Sequence, residues 1–350
     1  MQNPLVLHLT GSPQDRFHEQ LSLTYARDAE QSLKTVVGQT LFLHVNPQGQ
    51  RFLVPSLKSE DLRAAKPMTL PQILEAINIA KPDLALPQMF CRTGMIQYRC
   101  LLEFLQIPFI GNLGEVMALT FDKYRTKSVV SSFGIPVPEA KLVSNNVSTI
   151  ETDIIYPVIV KPNSSDNSAG VSLVNKSTDL QAAVLDAQTH SPEVLIEKFI
   201  PPGREVRCGV IEHQGNLIPL PLQEYYVDST SPIRFQEDKL IVTDNELQGL
   251  TSRIKKTSCQ VDVKDPITKS VQELSQVAHR ALRCRHYSLF DFRIDESGKP
   301  WFLEAGLYCS FAKSSIISTM AEYHGWSLNQ LFQKMIGEVI PNSVPSTVGV

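Results

Sequence analysis

Residues 156–172, YPVIVKPNSSDNSAGVS, read as a buried strand that carries a lysine to the lip of a loop of small residues. Tyr156 to Val160 is apolar and β-branched, which suits a central strand. Lys161 follows, and Pro162, which has no N–H to donate, is expected to stop the ladder. From Asn163 to Gly170 the residues are mainly Asn, Ser, Asp, Ala and Gly, small enough for backbone amides to close on an anion. The segment predicts a flap that handles phosphate; the plainer alternative is a hairpin connection. It is neither a P-loop, which needs Gly-Lys-Ser/Thr opening a helix, nor the spaced-glycine dinucleotide fingerprint.

With 350 residues, 42% hydrophobic and 20% charged, the chain has room for two or three domains with substantial cores. A net charge of -3 argues against a general nucleic-acid or membrane-surface binder. The cysteines Cys91, Cys100, Cys208, Cys259, Cys284 and Cys309 show no CxxC pair or zinc spacing, so free thiols in a reducing compartment are expected. No window approaches a membrane span and the apolar run of Met1 to Leu9 is too short for a signal peptide, which predicts the cytoplasm.

Residues 1–111 alternate strands (Leu5 to Leu9, Leu84 to Leu86, Phe109 to Ile110) with amphipathic helices (Gln20 to Leu33, Leu70 to Ala80, Met95 to Leu105). That alternation implies an α/β unit with a parallel sheet covered on both faces. Residues 112–195 read as a small central α+β unit, with a helix from Lys123 to Phe133 ended by Gly134 and another from Thr178 to Gln188. Residues 196–350 are richer in strands and predict a mainly antiparallel sheet from Glu205 to Glu212, Leu217 to Leu222, Leu289 to Ile294 and Trp301 to Ala305. The polar tract Asp228 to Ser258 reads as a mobile, substrate-facing loop or a solvated insertion.

A second constellation supports the phosphate reading. Asp295-Glu-Ser-Gly-Lys299 is a hairpin turn signal between two apolar strands. With a loop of Glu296 to Lys299, Asp295 faces Pro300, Ile294 faces Trp301, and Asp291 falls opposite Glu304. Two carboxylates across a ladder, with Cβ atoms roughly 5 Å apart, repel unless something intervenes. Oxygen-only ligands on rigid strands suit Mg²⁺. The strand Val194 to Ile200 ends in Glu197, Lys198 and Phe199, whose backbone could meet an adenine edge. Glu205, beyond the Pro201-Pro-Gly203 bend, could hold ribose hydroxyls, and Lys123 could add charge to the phosphates.

The ordered motifs FDKYRTK, YPVIVKPNSSDNSAGVS, EVLIEKFIPPGREV, FDFRID and WFLEAG resemble the ATP-grasp superfamily, and more narrowly the D-alanine–D-alanine ligases, from about Cys91 to Leu331. The resemblance implies a three-domain ATP-grasp fold, cytoplasmic, with ATP and Mg²⁺ as cofactors and a homodimer as its assembly. It places Lys123 and Lys161 on ATP phosphates, and makes a closing loop of Asn167, Ser168, Ala169 and Gly170. Glu197, Lys198, Phe199, Glu205 and Leu303 would hold the adenosine, with Asp291 and Glu304 on the metal. Lys161, Ser168, Arg293 and Ser315 become the candidate catalytic residues. Asp15 and Glu19 could orient an amine, and Tyr225 and Tyr226 could touch substrate.

The chain departs from that family at several positions. Gly306 stands where the family has an asparagine metal ligand, Cys309-Ser310 where it has a Pro-Gly pair, and Leu289 where an arginine binds the acceptor carboxylate. Losing a bidentate clamp should cost an amino-acid acceptor site a few kcal/mol unless it is replaced. Arg293, two residues past Asp291 on the same strand face, is a candidate replacement. The overall likeness is greater to the ligases of mycosporine-like amino acid biosynthesis, which join serine or threonine to mycosporine-glycine. The expected partners are thus a small-molecule acceptor and a free amino acid. A true D-alanine–D-alanine ligase and a non-catalytic ATP-binding protein are the alternatives.

Overall fold

Three β-sheets organise the chain, each seeded by a different apolar run. The structure is a computed structural model and describes residues 4–144, 155–165, 168–201, 203–228, 231–234, 258–313 and 315–340. Most of the polar tract 228–258 therefore lies outside the described residues.

In the first sheet β1 (Leu5–Gly11) runs parallel to β2 (Gln39–Val45) and to β4 (Leu84–Pro87). An antiparallel edge strand that the sequence did not reveal, β3 (Arg51–Val54), pairs with β2. Helices α1 (Arg16–Leu33), α2 (Ser59–Ala64), α3 (Leu70–Ala80) and α4 (Arg92–Phe104) accompany it. Helix α1 begins before the expected Gln20 because Asp15 caps it, accepting from the His18 N–H. The strand expected at Phe109 to Ile110 reduces to a single parallel bridge between Phe109 and Ala85.

Helices α5 (Gly114–Phe121) and α6 (Lys123–Ser132) follow, and Gly134, at φ 82°, turns the chain out of α6. The second sheet has the order β5-β8-β6-β7, from β5 (Ala140–Ser144), β6 (Val158–Pro162), β7 (Ser172–Val174) and β8 (Glu193–Lys198). Helix α7 (Ser177–Gln188) buries Leu180, Val184 and Ala187 against Val158, Val160 and Val194 of this sheet. Strand β6 is interior as expected, but its ladder does not stop at Lys161. Lys161 pairs with Leu195 and Pro162 with Val194. Pro162 lacks only the donor, and the next donor, the Asn163 N–H, bonds Glu193 O at 2.9 Å.

The third sheet has the order β12-β11-β9-β13-β14, with β10 also on β9. Its strands are β9 (Arg204–His213), β10 (Asn216–Pro219), β11 (Gln223–Tyr225), β12 (Ser258–Gln260), β13 (Tyr287–Ile294) and β14 (Pro300–Ala305). The single strand expected over Leu217 to Leu222 is thus two short ones. Helix α8 (Pro266–Ala281) packs behind β9 and β13, and α9 (Ile316–Tyr323) and α10 (Leu328–Val339) complete the chain. Every residue of β13 is buried, as befits a strand with neighbours on both edges.

The hairpin register differs from expectation near its turn and agrees with it further in. Ile294 pairs with Pro300 and Phe292 with Phe302, one residue away from the expected alignment, because Asp295 closes a five-residue turn. Its carboxylate accepts from the Ser297 and Lys299 N–H groups at 2.9 and 3.0 Å. A bulge then leaves Leu303 without a partner, and Asp291 does pair with Glu304.

Hydrophobic cores cross the units read from sequence. Met117, Val130 and Ile135, around α5 and α6, share a core with Val206, Phe290 and Phe302 of the third sheet. Met320 of α9 and Leu331 and Phe332 of α10 pack with Val6, Leu84 and Ile211, which ties the first sheet to the third. Each fully buried phenylalanine there contributes about 1.5–3 kcal/mol. Among the described residues no helix is long and apolar enough to cross a membrane, and all six cysteines are free.

Candidate active site

One cavity lies where the second and third sheets face each other. Its wall contains twelve of the residues singled out from sequence: Lys123, Lys161, Ser168, Ala169, Glu197, Lys198, Phe199, Glu205, Asp291, Arg293, Leu303 and Glu304. Asn167 lies outside the described residues. Gly170, at φ 68°, stands behind the flap, where an added Cβ would come within 2.6 Å of the His190 ring. Ser315 is elsewhere: it caps α9 and its Oγ meets Ser318 Oγ at 2.8 Å. Asp15 is taken up by His18, and Glu19 by His44 at 3.1 Å. Tyr225 is buried beneath Arg234, whose guanidinium lies 3.6 Å from the ring centroid, and Tyr226 is exposed.

The flap is anchored at its root to the start of α6. Asn163 accepts from the Lys123 N–H at 3.1 Å through its backbone oxygen and from the Tyr124 N–H at 2.9 Å through its side chain. The Lys123 ammonium in turn donates to Ser165 O. Three hydrogen bonds thus tie the flap's root to the start of α6, and Lys123 and Ser165 both line the cavity.

Behind the flap, the buried Glu197 carboxylate bridges two ammonium groups, Lys161 Nζ at 2.6 Å and Lys127 Nζ. Burial pushes the Glu197 carboxyl up, but the two lysines outweigh it and hold it below the usual range. Burial also draws Lys127 down to about 8, against the pull of Glu197 and with the help of the like charge on Lys161. The cluster carries two positive charges on one negative, and Lys161 is the member that reaches the cavity wall.

Across the cavity, β9 and β13 present an alternating pattern of charge. Their register sets Glu205 opposite Arg293 and Arg207 opposite Asp291. Arg207 donates to both oxygens of Asp291. Arg293 reaches Glu205 Oε2 at 2.7 Å, and Arg234 reaches Glu205 Oε1 at 2.5 Å. Burial raises the Glu205 carboxyl, yet Arg234 and Arg293 bring it down to about 2. The Nε and Nη1 atoms of Arg293, itself only 6% exposed, have no hydrogen-bond partner. Buried, unsatisfied donors in a cavity wall suit an oxygen acceptor from outside the protein.

The bulge at Leu303 decides what β14 offers, since it lets Leu303 and Glu304 line the same cavity although they are consecutive. Asp291 and Glu304 then form an oxygen-only donor pair on rigid strands, which fits Mg²⁺, with Arg207 as the cation that holds Asp291 in this structure. The N–H groups of Lys198 and Phe199 are not available to an adenine edge, because they bond Glu139 O at 2.8 Å and Pro157 O at 3.2 Å. Sequence reasoning did not find Lys127, Arg207, Ile200, Ile233 or Arg234. The alternation Glu205-x-Arg207 against Asp291-x-Arg293 was the available signal for Arg207. Ile233 and Arg234 belong to the described part of the polar tract, and they line the cavity.

The D-ala D-ala ligase C-terminus family matches residues 129–337. The chain belongs to this family. It is 27% identical to the D-alanine–D-alanine ligase of Hydrogenovibrio crunogenus over 299 residues, 83% of this chain and 88% of that protein. It is 28% identical to the corresponding protein of Brucella anthropi over 269 residues, 73% and 80% of the two chains. The VanG D-Ala:D-Ser ligase of Enterococcus faecalis superposes with a TM-score of 0.80 at 23% identity, covering 97% of this chain and 100% of that one. The D-alanine–D-alanine ligase of Coxiella burnetii follows at 0.78 and 20%, covering 98% and 95%. The expected ATP-grasp fold is thus found, and the chain is an ATP-dependent, ADP-forming ligase that joins carbon to nitrogen.

Proposed function

We propose that this ligase phosphorylates an oxygen of a small acceptor and couples a free amino acid there, with mycosporine-glycine as acceptor and a serine- or threonine-type amino acid as donor. The observation that supports a departure from D-alanine–D-alanine synthesis is Leu289, and in either reading the free amino acid's carboxylate is met by another group. Leu289 is 7% exposed and packs in the core with Tyr287, Cys309 and Phe311, so that position holds no cation for an amino-acid carboxylate. Arg293 gives only its Nη2 to Glu205, and its Nε and Nη1 face the nucleotide cavity wall and not the position of Leu289.

In this reading the γ-phosphoryl group of ATP passes to the acceptor's ring oxygen and ADP leaves. The amine nitrogen attacks the carbon that bears that oxygen. The C–O bond breaks, phosphate departs with the electron pair, the nitrogen gives up its proton to solvent, and a C=N bond remains. Lys161 and Lys123, with the flap between them, would hold charge on the moving phosphoryl group. Asp291 and Glu304 would hold Mg²⁺, which neutralises phosphate oxygens when bound. Glu205, with its two arginines, would position the ribose. Serine 168 would sit on the flap beside the transferred group, and a homodimer is the proposed assembly.

The relatives' names favour the second reading, D-alanine–D-alanine ligation. ADP release measured with mycosporine-glycine plus serine, against D-alanine alone, separates the two. Rapid release with D-alanine and none with mycosporine-glycine would overturn the proposal.

A further inference from the structure

We propose that Arg234 couples two carboxylates of the nucleotide cavity, so that a nucleoside held at Glu205 weakens the hold of Asp291 on a divalent cation. The two acids stand on neighbouring strands, β9 and β13, and Arg234 reaches towards both. Its guanidinium donates to Glu205 Oε1 at 2.5 Å and lies 3.8 Å from Asp291 Oδ2. It also lies 3.6 Å from the centroid of the buried Tyr225 ring, a flat face along which it can shift from one acid to the other.

The two guanidiniums on Glu205 differ in where they can go. Arg293 donates to Oε2 at 2.7 Å and to Pro232 O at 3.0 Å, and among the described residues Glu205 is its one ion-pair partner. Arg234 has Asp291 as a second acid. A carboxylate has few lone pairs, so ribose hydroxyls that donate to Glu205 compete with Arg234 for Oε1. A shift of about 1 Å then brings Arg234 within charge-assisted hydrogen-bond range of Asp291. There it joins Arg207, which already donates to both oxygens, and a metal must compete with two guanidiniums instead of one. ATP overcomes this antagonism by carrying the metal on its own phosphates. The cavity therefore admits the cation with the triphosphate and resists it beside a bare nucleoside. This inference rests on the proposed placing of ribose at Glu205 and metal at Asp291, and goes beyond it by linking the two.

The test uses the full chain, with adenosine as a probe that brings no phosphate to the metal. Paramagnetic resonance reads Mn²⁺ affinity with and without saturating adenosine. Adenosine is expected to weaken Mn²⁺ binding about tenfold, and saturating Mn²⁺ to weaken adenosine binding, read by calorimetry, by the same factor. Dideoxyadenosine, which lacks both ribose hydroxyls, should bind more weakly and leave Mn²⁺ affinity unchanged. Arg234→Gln should bring the coupling factor close to one, and Arg234→Lys, a point charge without the fork, should keep part of it. Thermal melts show that the variants are folded, and the measurement on the unmodified chain decides without them. Independent binding of adenosine and Mn²⁺ to the unmodified chain would overturn the coupling, as would an undiminished factor in folded Arg234→Gln. Equal affinities for adenosine and dideoxyadenosine would instead remove the ribose from Glu205, and the coupling with it.

Discussion

Arg207 and Asp291 stand directly opposite each other on β9 and β13, and the guanidinium donates to both carboxylate oxygens. The residue best placed to hold a divalent cation is therefore held by a protein cation. A metal at Asp291, as proposed, would compete with Arg207 for the carboxylate's lone pairs. Arg234, 3.8 Å from the same carboxylate, remains as the nearer counter-charge to Glu205.

Arg207→Met should consequently tighten Mn²⁺ binding by about tenfold, because the competing cation is gone. It should also lower stability without metal by about 3–5 kcal/mol, since a buried carboxylate loses its partner. Saturating Mn²⁺ should recover much of that loss. Paramagnetic resonance of Mn²⁺ and thermal melts read both effects. Asp291→Ala should abolish Mn²⁺ binding and turnover, and full activity in that variant would refute the metal assignment. Weaker Mn²⁺ binding in Arg207→Met would show Arg207 to be a support for the site and not a competitor.

Gly306 has room for a side chain. The nearest atom to an added Cβ is Leu289 O at 3.9 Å, and the φ of Gly306 is not among the positive ones. Gly306→Asn should place an amide oxygen beside Glu304 and reduce the Mg²⁺ concentration needed for nucleotide binding severalfold. Calorimetric titration of the nucleotide at stepped Mg²⁺ concentrations would measure it, and an unchanged requirement would mean that the asparagine cannot reach the ion.

Glu197 and its two lysines differ in what each can lose. Glu197→Gln leaves two buried ammonium groups uncompensated and should cost about 3–5 kcal/mol in urea unfolding. Lys127→Met leaves the Lys161–Glu197 pair intact and neutral, so it should cost much less. Comparable losses in the two variants would contradict this charge count.

Three buried histidines set an acid limit. Burial, the largest influence on each, draws His8 to about 4, His279 to about 4 and His286 to about 3. All three are neutral in the folded chain at pH 6.5, whereas the unfolded chain begins to take up protons there. Their contribution to stability is full above pH 6.5 and is lost as pH falls toward 4, by up to about 1.4 kcal/mol per pH unit for each proton. His286 accepts from the Gly111 N–H at 2.9 Å and sits at φ 65°. Asparagine tolerates that φ and keeps an acceptor, so His286→Asn should flatten the fall without abolishing it. Chemical unfolding at pH 7 and at pH 4.5 gives the comparison.

The sequence by itself determined the strand that carries Lys161, the small-residue flap, the capped helices and the hairpin that bears Asp291 and Glu304. These are local: side-chain periodicity chooses helix or strand, and turn residues choose where each ends. It also held the alternating charges of β9 and β13, unread because nothing local says that those strands are neighbours. Only the tertiary structure decided the rest. The pairing of β9 with β13 turns Asp291 from a bare metal ligand into one held by Arg207, and commits Arg293 to Glu205. The bulge at Leu303 corrects a one-residue slip set by the Asp295 turn, and so brings Glu304 opposite Asp291. Lys127, on a helix that shares the third sheet's core, meets Glu197 of the second sheet across seventy residues of chain. Register and long-range neighbours are settled by burying whole faces at once, and a single segment carries no record of the face it will meet.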